Sequence, residues 1–153
     1  MTHSAWIAAA KVDIKFDKLN SADSILSYLP MAWVGDHLFS YAQAIVAGFT
    51  VNCPESADTV MSDLREIGPT YYFAPPRVFE DMLTQVMIRM EDAGRLKRWL
   101  FHHGLNIAKK CGGRIMDGKS VPLIDRIQYL IFNIFIFRPL LNVLGLSRVR
   151  VAY

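Results

Sequence analysis

The stretch that decides the fold runs from Ile25 to Asn52 and reads ILSYLPMAWVGDHLFSYAQAIVAGFTVN. Its first five residues, Ile25-Leu-Ser-Tyr-Leu29, are short and β-prone, and Pro30 stops them because proline cannot donate to a ladder. From His37 to Ala47 the apolar residues Leu38, Tyr41, Ala42 and Ile45 recur at helical spacing, and Gly48 offers a C-cap. Phe49-Thr-Val-Asn52 then reads as a second strand, closed by Pro54. Two strands joined through a helix by short connections point to parallel pairing with a right-handed crossover.

Downstream the pattern repeats. Asp58 is the best N-cap candidate for a helix whose inner face is Val60, Met61, Leu64 and Ile67, with Gly68 as its stop. Thr70-Tyr-Tyr-Phe73 is the next strand, and Ala74-Pro-Pro76 turns into a helix from about Arg77 to Ala93. Helices over about Leu96–Lys110 and Leu123–Leu144 follow, and Arg148–Ala152 closes the chain as a last strand. The expected fold class is α/β: a partial parallel sheet with crossover helices. A helical insert over 94–146 is expected within one incomplete domain spanning 1–153. A terminal parallel strand with no helix behind it would have a poorly covered face, so the chain reads as a piece of something larger.

Composition narrows the function classes. The 153 residues are 52% hydrophobic and 20% charged, which argues for a globular chain over a disordered or fibrous one. The net charge of +3 is small, and the densest basic run, Arg95-Leu-Lys97-Arg98, alternates with apolar residues, which argues against nucleic acid as a partner. Cys53 and Cys111 form no C-x-x-C pair and fit a reduced, cytoplasmic setting. Met1-Thr-His-Ser-Ala-Trp6 lacks the basic start and apolar run of a signal peptide. Ile127–Phe137, IQYLIFNIFIF, is apolar nearly all round yet well short of the roughly 20 residues a span needs. It suits a buried helix, a partner-binding surface, or peripheral contact with a membrane.

Gly113–Ser120, GRIMDGKS, satisfies the G-x-x-x-x-G-K-[ST] pattern of a phosphate-cradling loop. Such a loop needs an apolar strand before it and a helix starting at its last glycine. Here Leu105–Lys110 continues an amphipathic helix, and Pro122 falls near the end of the first turn such a helix would make. A linker between two helices is the better reading, with a P-loop NTPase as the alternative. His102 and His103 are adjacent, so on a helix they diverge by about 100° and cannot clamp one metal. No G-x-S-x-G elbow is present.

Two loops at the C-terminal ends of parallel strands remain, Pro30–His37 and Phe73–Arg77, and ligands of open α/β sheets bind at that edge. Trp33 there is either core or a ligand-facing wall, and Asp36 is either a helix cap or a site residue.

At these loops the sequence becomes familiar. LSYLPMAWVGDHLFSYAQAIVAGFTV followed by PTYYFAPPRVFEDML resembles the AMP-forming long-chain acyl-CoA synthetases of the adenylate-forming superfamily. LFHHGLNIAKKCG and LGLSRVRVAY extend the resemblance over essentially the whole chain. It implies part of the large N-terminal domain of an enzyme that activates a fatty acid with ATP and Mg2+ to an acyl-adenylate, then passes the acyl group to coenzyme A. By the same resemblance Trp33 stands at the acyl-tunnel gate, beside Val34, Gly35 and His37, and Asp36 stands where the family often has Glu. Tyr72, Phe73, Ala74, Pro75 and Arg77 match the turn beside the acyl pocket.

The resemblance also implies what to expect beyond these residues. The family's Ser/Thr/Gly-rich phosphate loop would lie just before Met1-Thr2-His3, and its adenylate motif, ribose-binding Asp and C-terminal lysine domain after Tyr153. The expectation is therefore an internal piece, inactive alone, with no catalytic, cofactor or metal residues of its own. Its partners are a fatty acid, the remainder of the parent synthetase and, peripherally, a membrane.

Overall fold

The computed structural model describes residues 2–30 and 32–153; Met1 and Met31, the latter inside the Pro30–His37 loop, lie outside the described residues. The chain divides into two compact units. One runs up to Pro75 and takes in Asn142–Tyr153; the other is Pro76–Leu141.

The first unit holds the sheet. Its strands are β1 (Ser24–Leu26), β2 (Thr50–Asn52), β3 (Tyr71–Tyr72) and β4 (Val151–Ala152), ordered β2-β1-β3-β4 and all parallel. Ile25 sits opposite Val51 on one side and Tyr71 on the other, while Tyr71 also faces Val151. All four strands lie where the sequence places them, each shorter than its apolar run.

Before β1 stands a helix that the periodicity does not announce, α1 (His3–Asp17). Among its residues Ala10 is buried, and Val12 and Phe16 are exposed, so no apolar stripe marks it. Its ends are well made: the Thr2 hydroxyl accepts from the Ala5 amide, and Lys18 closes it in the left-handed region.

Between β1 and β2 the helix begins earlier than the sequence suggests. It starts at α2 (Val34–Asp36), widens into a π-helical segment (His37–Ala42) and finishes as α3 (Gln43–Ala47), where Gly48 supplies the left-handed cap. The crossover from β2 to β3 is α4 (Val60–Ile67), ended by Gly68. Asp58 does not cap it. Thr59 occupies that position, and its hydroxyl donates to the Asp63 carboxylate, which also accepts from the Glu55 amide.

The core forms where these elements meet. Leu19, Ile25, Phe49 and Tyr71 are buried together, with Ile14, Phe39, Ala44, Ala47 and Val151 packed on them. Tyr71 takes Phe39, Phe49 and Tyr153 edge-on, at centroid distances of 6.1–6.5 Å.

In the second unit, α5 (Pro76–Glu91) and α6 (Arg95–Met116) precede α7 (Leu123–Phe132) and a π-helical segment (Asn133–Phe137), from which α8 (Arg138–Val143) continues, its last two residues counting with the first unit. The buried side of α6 is Phe101, Gly104, Ile107 and Cys111. Phe132 of α7 rests on Gly104, and Lys110 of α6 pairs with Asp125 of α7 at 2.9 Å.

Here GRIMDGKS is corrected in part. Gly113–Met116 is the last turn of α6, which continues six residues past Lys110, so the linker is just 117–122. Two glycines cost a helix about 1 kcal/mol each, too little to end one already nucleated and anchored through Ile107 and Cys111.

Candidate functional site

The strand order creates the site. From β1 the chain steps out to β2, then returns past β1 to β3, so the connections leave β1 and β3 in opposite directions. In doubly wound sheets a crevice opens at that reversal, beyond the carboxyl ends of the two strands. Here those ends carry the residues after Leu26 and after Tyr72, which are the two loops singled out by sequence.

An open apolar groove of about 350 Å³ lies there, lined by Leu29, Pro30, Ala32, Trp33 and Pro75. Trp33 is 42% exposed and forms one wall. Its indole packs on Phe73 at 5.4 Å, Phe73 stacks on Phe39 at 4.3 Å, and Phe39 stacks on Tyr153 at 5.9 Å. A row of rings thus runs from the groove wall towards the sheet core. Trp33 is therefore not a core residue.

Asp36 is buried in the helical turn that follows Trp33. It is not a cap, because the helix has already begun at Val34 with Trp33 in the cap position. It is 5% exposed, and its Oδ1 accepts from the Ser27 hydroxyl at 2.8 Å and the Ser40 hydroxyl at 3.0 Å. The carboxylate therefore ties the residue after β1 to the π-helical segment and fixes both ends of the loop that carries Trp33. Ser27 is further held by its amide on the Asn52 carbonyl.

The remaining predicted residues separate. Gly35 is buried directly beneath the Trp33 ring. Val34 is exposed. His37 faces Trp6 of α1 and Tyr41, at 6.3 and 6.4 Å, and so belongs to the packing of α1. Tyr72 is buried and stacks on Tyr28 at 6.2 Å. Burial pushes both of these phenols above the ordinary tyrosine range, so both stay protonated. Ala74 is buried, and its amide donates to the Tyr153 carbonyl at 2.9 Å, which holds the turn before Pro75. Arg77 is exposed in the first turn of α5, in the second unit.

Sequence reasoning missed Leu29 as a lining residue, took in Pro30 and Ala32 only as part of the Pro30–His37 loop, and missed Ser27, Ser40 and Phe39 as supports. Leu29 to Ala32 carried a signal, since they prolong an apolar strand past its proline. The serines carried none, because nothing local distinguishes them from surface serines.

The other candidates do not build sites. Lys119 pairs with Asp117 at 3.0 Å, both exposed, and no strand leads into GRIMDGKS. This is not the geometry of a phosphate loop. His103 stacks on Trp99 at 5.4 Å while His102 lies 3.4 Å from Glu91, so the two rings point apart. Among the described residues no three His, Cys, Asp or Glu side chains gather to hold a metal.

Fold and crevice together define an α/β unit built on a small all-parallel sheet. Residues 1–121 match the sequence profile of the family described as AMP-binding enzyme. The chain belongs to that family. It is 28% identical over 141 residues to long chain acyl-CoA synthetase 6, peroxisomal, of Arabidopsis thaliana, covering 87% of this chain and 18% of that protein. A probable CoA ligase of Humulus lupulus is 29% identical over 117 residues, covering 74% of this chain and 18% of the relative. A long-chain-fatty-acid–CoA ligase of Homo sapiens is 25% identical over 146 residues, covering 93% and 21%. The chain thus spans about a fifth of the length of the curated relatives it matches. No solved structure matches it.

Proposed function

We propose that this chain is an internal piece of a long-chain fatty acid–CoA ligase and supplies part of the wall of the acyl pocket. The observation that carries the reading is the apolar groove at the β1/β3 crevice, bounded by Trp33 on one side and Pro75 on the other. A fatty chain needs buried apolar area, at about 25 cal/mol per Å², and few polar partners. Trp33 acts as the gate, Phe73 and Gly35 back it, and Ala74 and Pro75 shape the opposite turn. Within the parent, residues 94–146 form a helical insert and Arg77 stands at the entry to α5.

ATP, Mg2+ and coenzyme A belong to the parent's reaction, in which ATP activates the carboxylate and coenzyme A accepts the acyl group. Among the described residues no three His, Cys, Asp or Glu side chains gather as a magnesium site would require, and Lys119 is engaged with Asp117. No step through those groups is assigned to it. Its own residues bind and orient the acyl chain.

A fatty acid carrying a terminal diazirine, photolysed on the purified 153-residue chain, is expected to label Trp33, Pro75 and their neighbours. Labelling confined to the exposed residues of α7 would count against the reading. The same preparation is expected to show no fatty-acid-dependent ATP–pyrophosphate exchange above blank; measurable exchange would overturn its assignment as an inactive piece.

A second, compatible role lies on α7. None of its residues is buried, and Leu123, Ile124 and Phe135 of the segment that follows are each more than 70% exposed, with Arg126 and Arg138 alongside. No helix among the described residues is long and apolar enough to cross a membrane. An apolar face edged by arginines suits peripheral contact with an anionic lipid surface.

A further inference from the structure

Gly35 lies in a helical turn, where glycine costs about 1 kcal/mol relative to alanine and no unusual backbone angle requires it. What requires it is space. A methyl group on Gly35 would meet Cζ3 of Trp33 at 2.9 Å, Cε3 at 3.1 Å and Cε1 of Phe73 at 3.2 Å. Carbon atoms in good contact sit about 3.5–4.0 Å apart, so one of those rings must yield. Phe73 has little freedom, since it is stacked at 4.3 Å on Phe39, which is itself packed on Tyr153. The Trp33 ring is partly exposed, and its two close atoms lie at the far end of the side chain. The indole is the part that moves.

That indole is also a wall of the groove. We propose that Gly35 is a positioning residue that seats the Trp33 indole, and that the seat sets which acyl chain lengths the groove accepts. The specificity role rests on the acyl-pocket reading above; the seat itself does not. Lacking a Cβ, Gly35 lets the indole lie flat between helix backbone and Phe73. Any larger residue lifts it and changes the cross-section of the groove.

The test uses the full chain with Trp6→Phe and Trp99→Phe, which leaves Trp33 as the sole tryptophan of the original three. Without lipid, Gly35→Ala is expected to raise acrylamide quenching of Trp33 about twofold and red-shift its emission, because the ring loses its contact with Phe73. Phe73→Leu opens the seat from the other side without adding bulk and is expected to do the same. It stands in should the alanine variant fail to fold. With decanoate and hexadecanoate as probes, both variants are expected to shift the ratio of the two affinities several-fold.

Unchanged quenching in the folded variants overturns the seat. Altered quenching with an unchanged affinity ratio overturns the specificity role. If the unsubstituted chain binds neither acid, the acyl reading fails and takes the specificity role with it, while the lipid-free quenching still decides whether Gly35 seats the ring.

Discussion

Asp23 and Arg150 are 127 residues apart in sequence and 2.7 Å apart in space. Asp23 is 5% exposed. Burial alone would raise its pKa, but hydrogen bonds from the Thr70 hydroxyl, the Asn20 amide and the Arg150 guanidinium, with the charge of Arg150, hold it below the ordinary value. Arg150 also donates to the carbonyls of Asp17 and Lys18 at the end of α1. One guanidinium thus fastens α1, the entry to β1 and the entry to β4. Arg150→Ala is expected to cost about 2–4 kcal/mol near neutral pH, since it strands a buried carboxylate. The sign with pH follows from the lowered value. The stabilisation is complete above about pH 4, where the unfolded chain's aspartates are ionised, and drains away as pH falls through the lower folded pKa. Urea midpoints of the two proteins should therefore converge on acidification. A gap that stays constant down to about pH 2 would refute this account.

At the scale of elements, glycines with opposite surroundings make a matched test. Gly145 follows α8 at φ 76°, and a methyl there would run into the Leu64 carbonyl of α4. Gly145→Ala is expected to destabilise by roughly 3 kcal/mol, from the left-handed backbone and the overlap together. Gly112 and Gly113 lie inside α6, and a methyl on either meets nothing within 4 Å. Alanine at both is expected to stabilise by about 1–2 kcal/mol in urea unfolding, by helix propensity alone. Destabilisation at Gly113 would mean that GRIMDGKS is held open for some purpose that a packed helix does not serve.

For the molecule as a whole, the balance between buried and exposed apolar surface matters most. Ile127, Leu130, Ile131, Ile134 and Phe135 all stay at least half exposed or nearly so, in a chain that is 52% hydrophobic. Flotation with phosphatidylglycerol–phosphatidylcholine vesicles is expected to carry the chain upward, and Phe135→Asp or Ile131→Asp to reduce the floated fraction several-fold. High salt should weaken the association as well, because Arg126 and Arg138 contribute through screened charge. Equal flotation of all variants would remove α7 as the contact.

The repeating order of apolar runs, proline or glycine stops and helical spacing from Ile25 to Phe73 was enough by itself to predict a parallel α/β sheet. That information is local: period, breaker and connection length constrain which strands can pair. α1 was invisible for the same reason, since its caps are good but no apolar stripe runs along it. The sequence also marked the two loops of the crevice, though not what each residue does there. Asp36 looks like a helix cap in a linear reading, yet it ties two serines together, because the helix starts three residues earlier than its periodicity shows. Trp33 reads equally well as core or wall until Phe73, from the far side of the sequence after β3, is brought against its ring. Contacts of this kind depend on where the chain returns in space, and residue spacing alone does not encode that return.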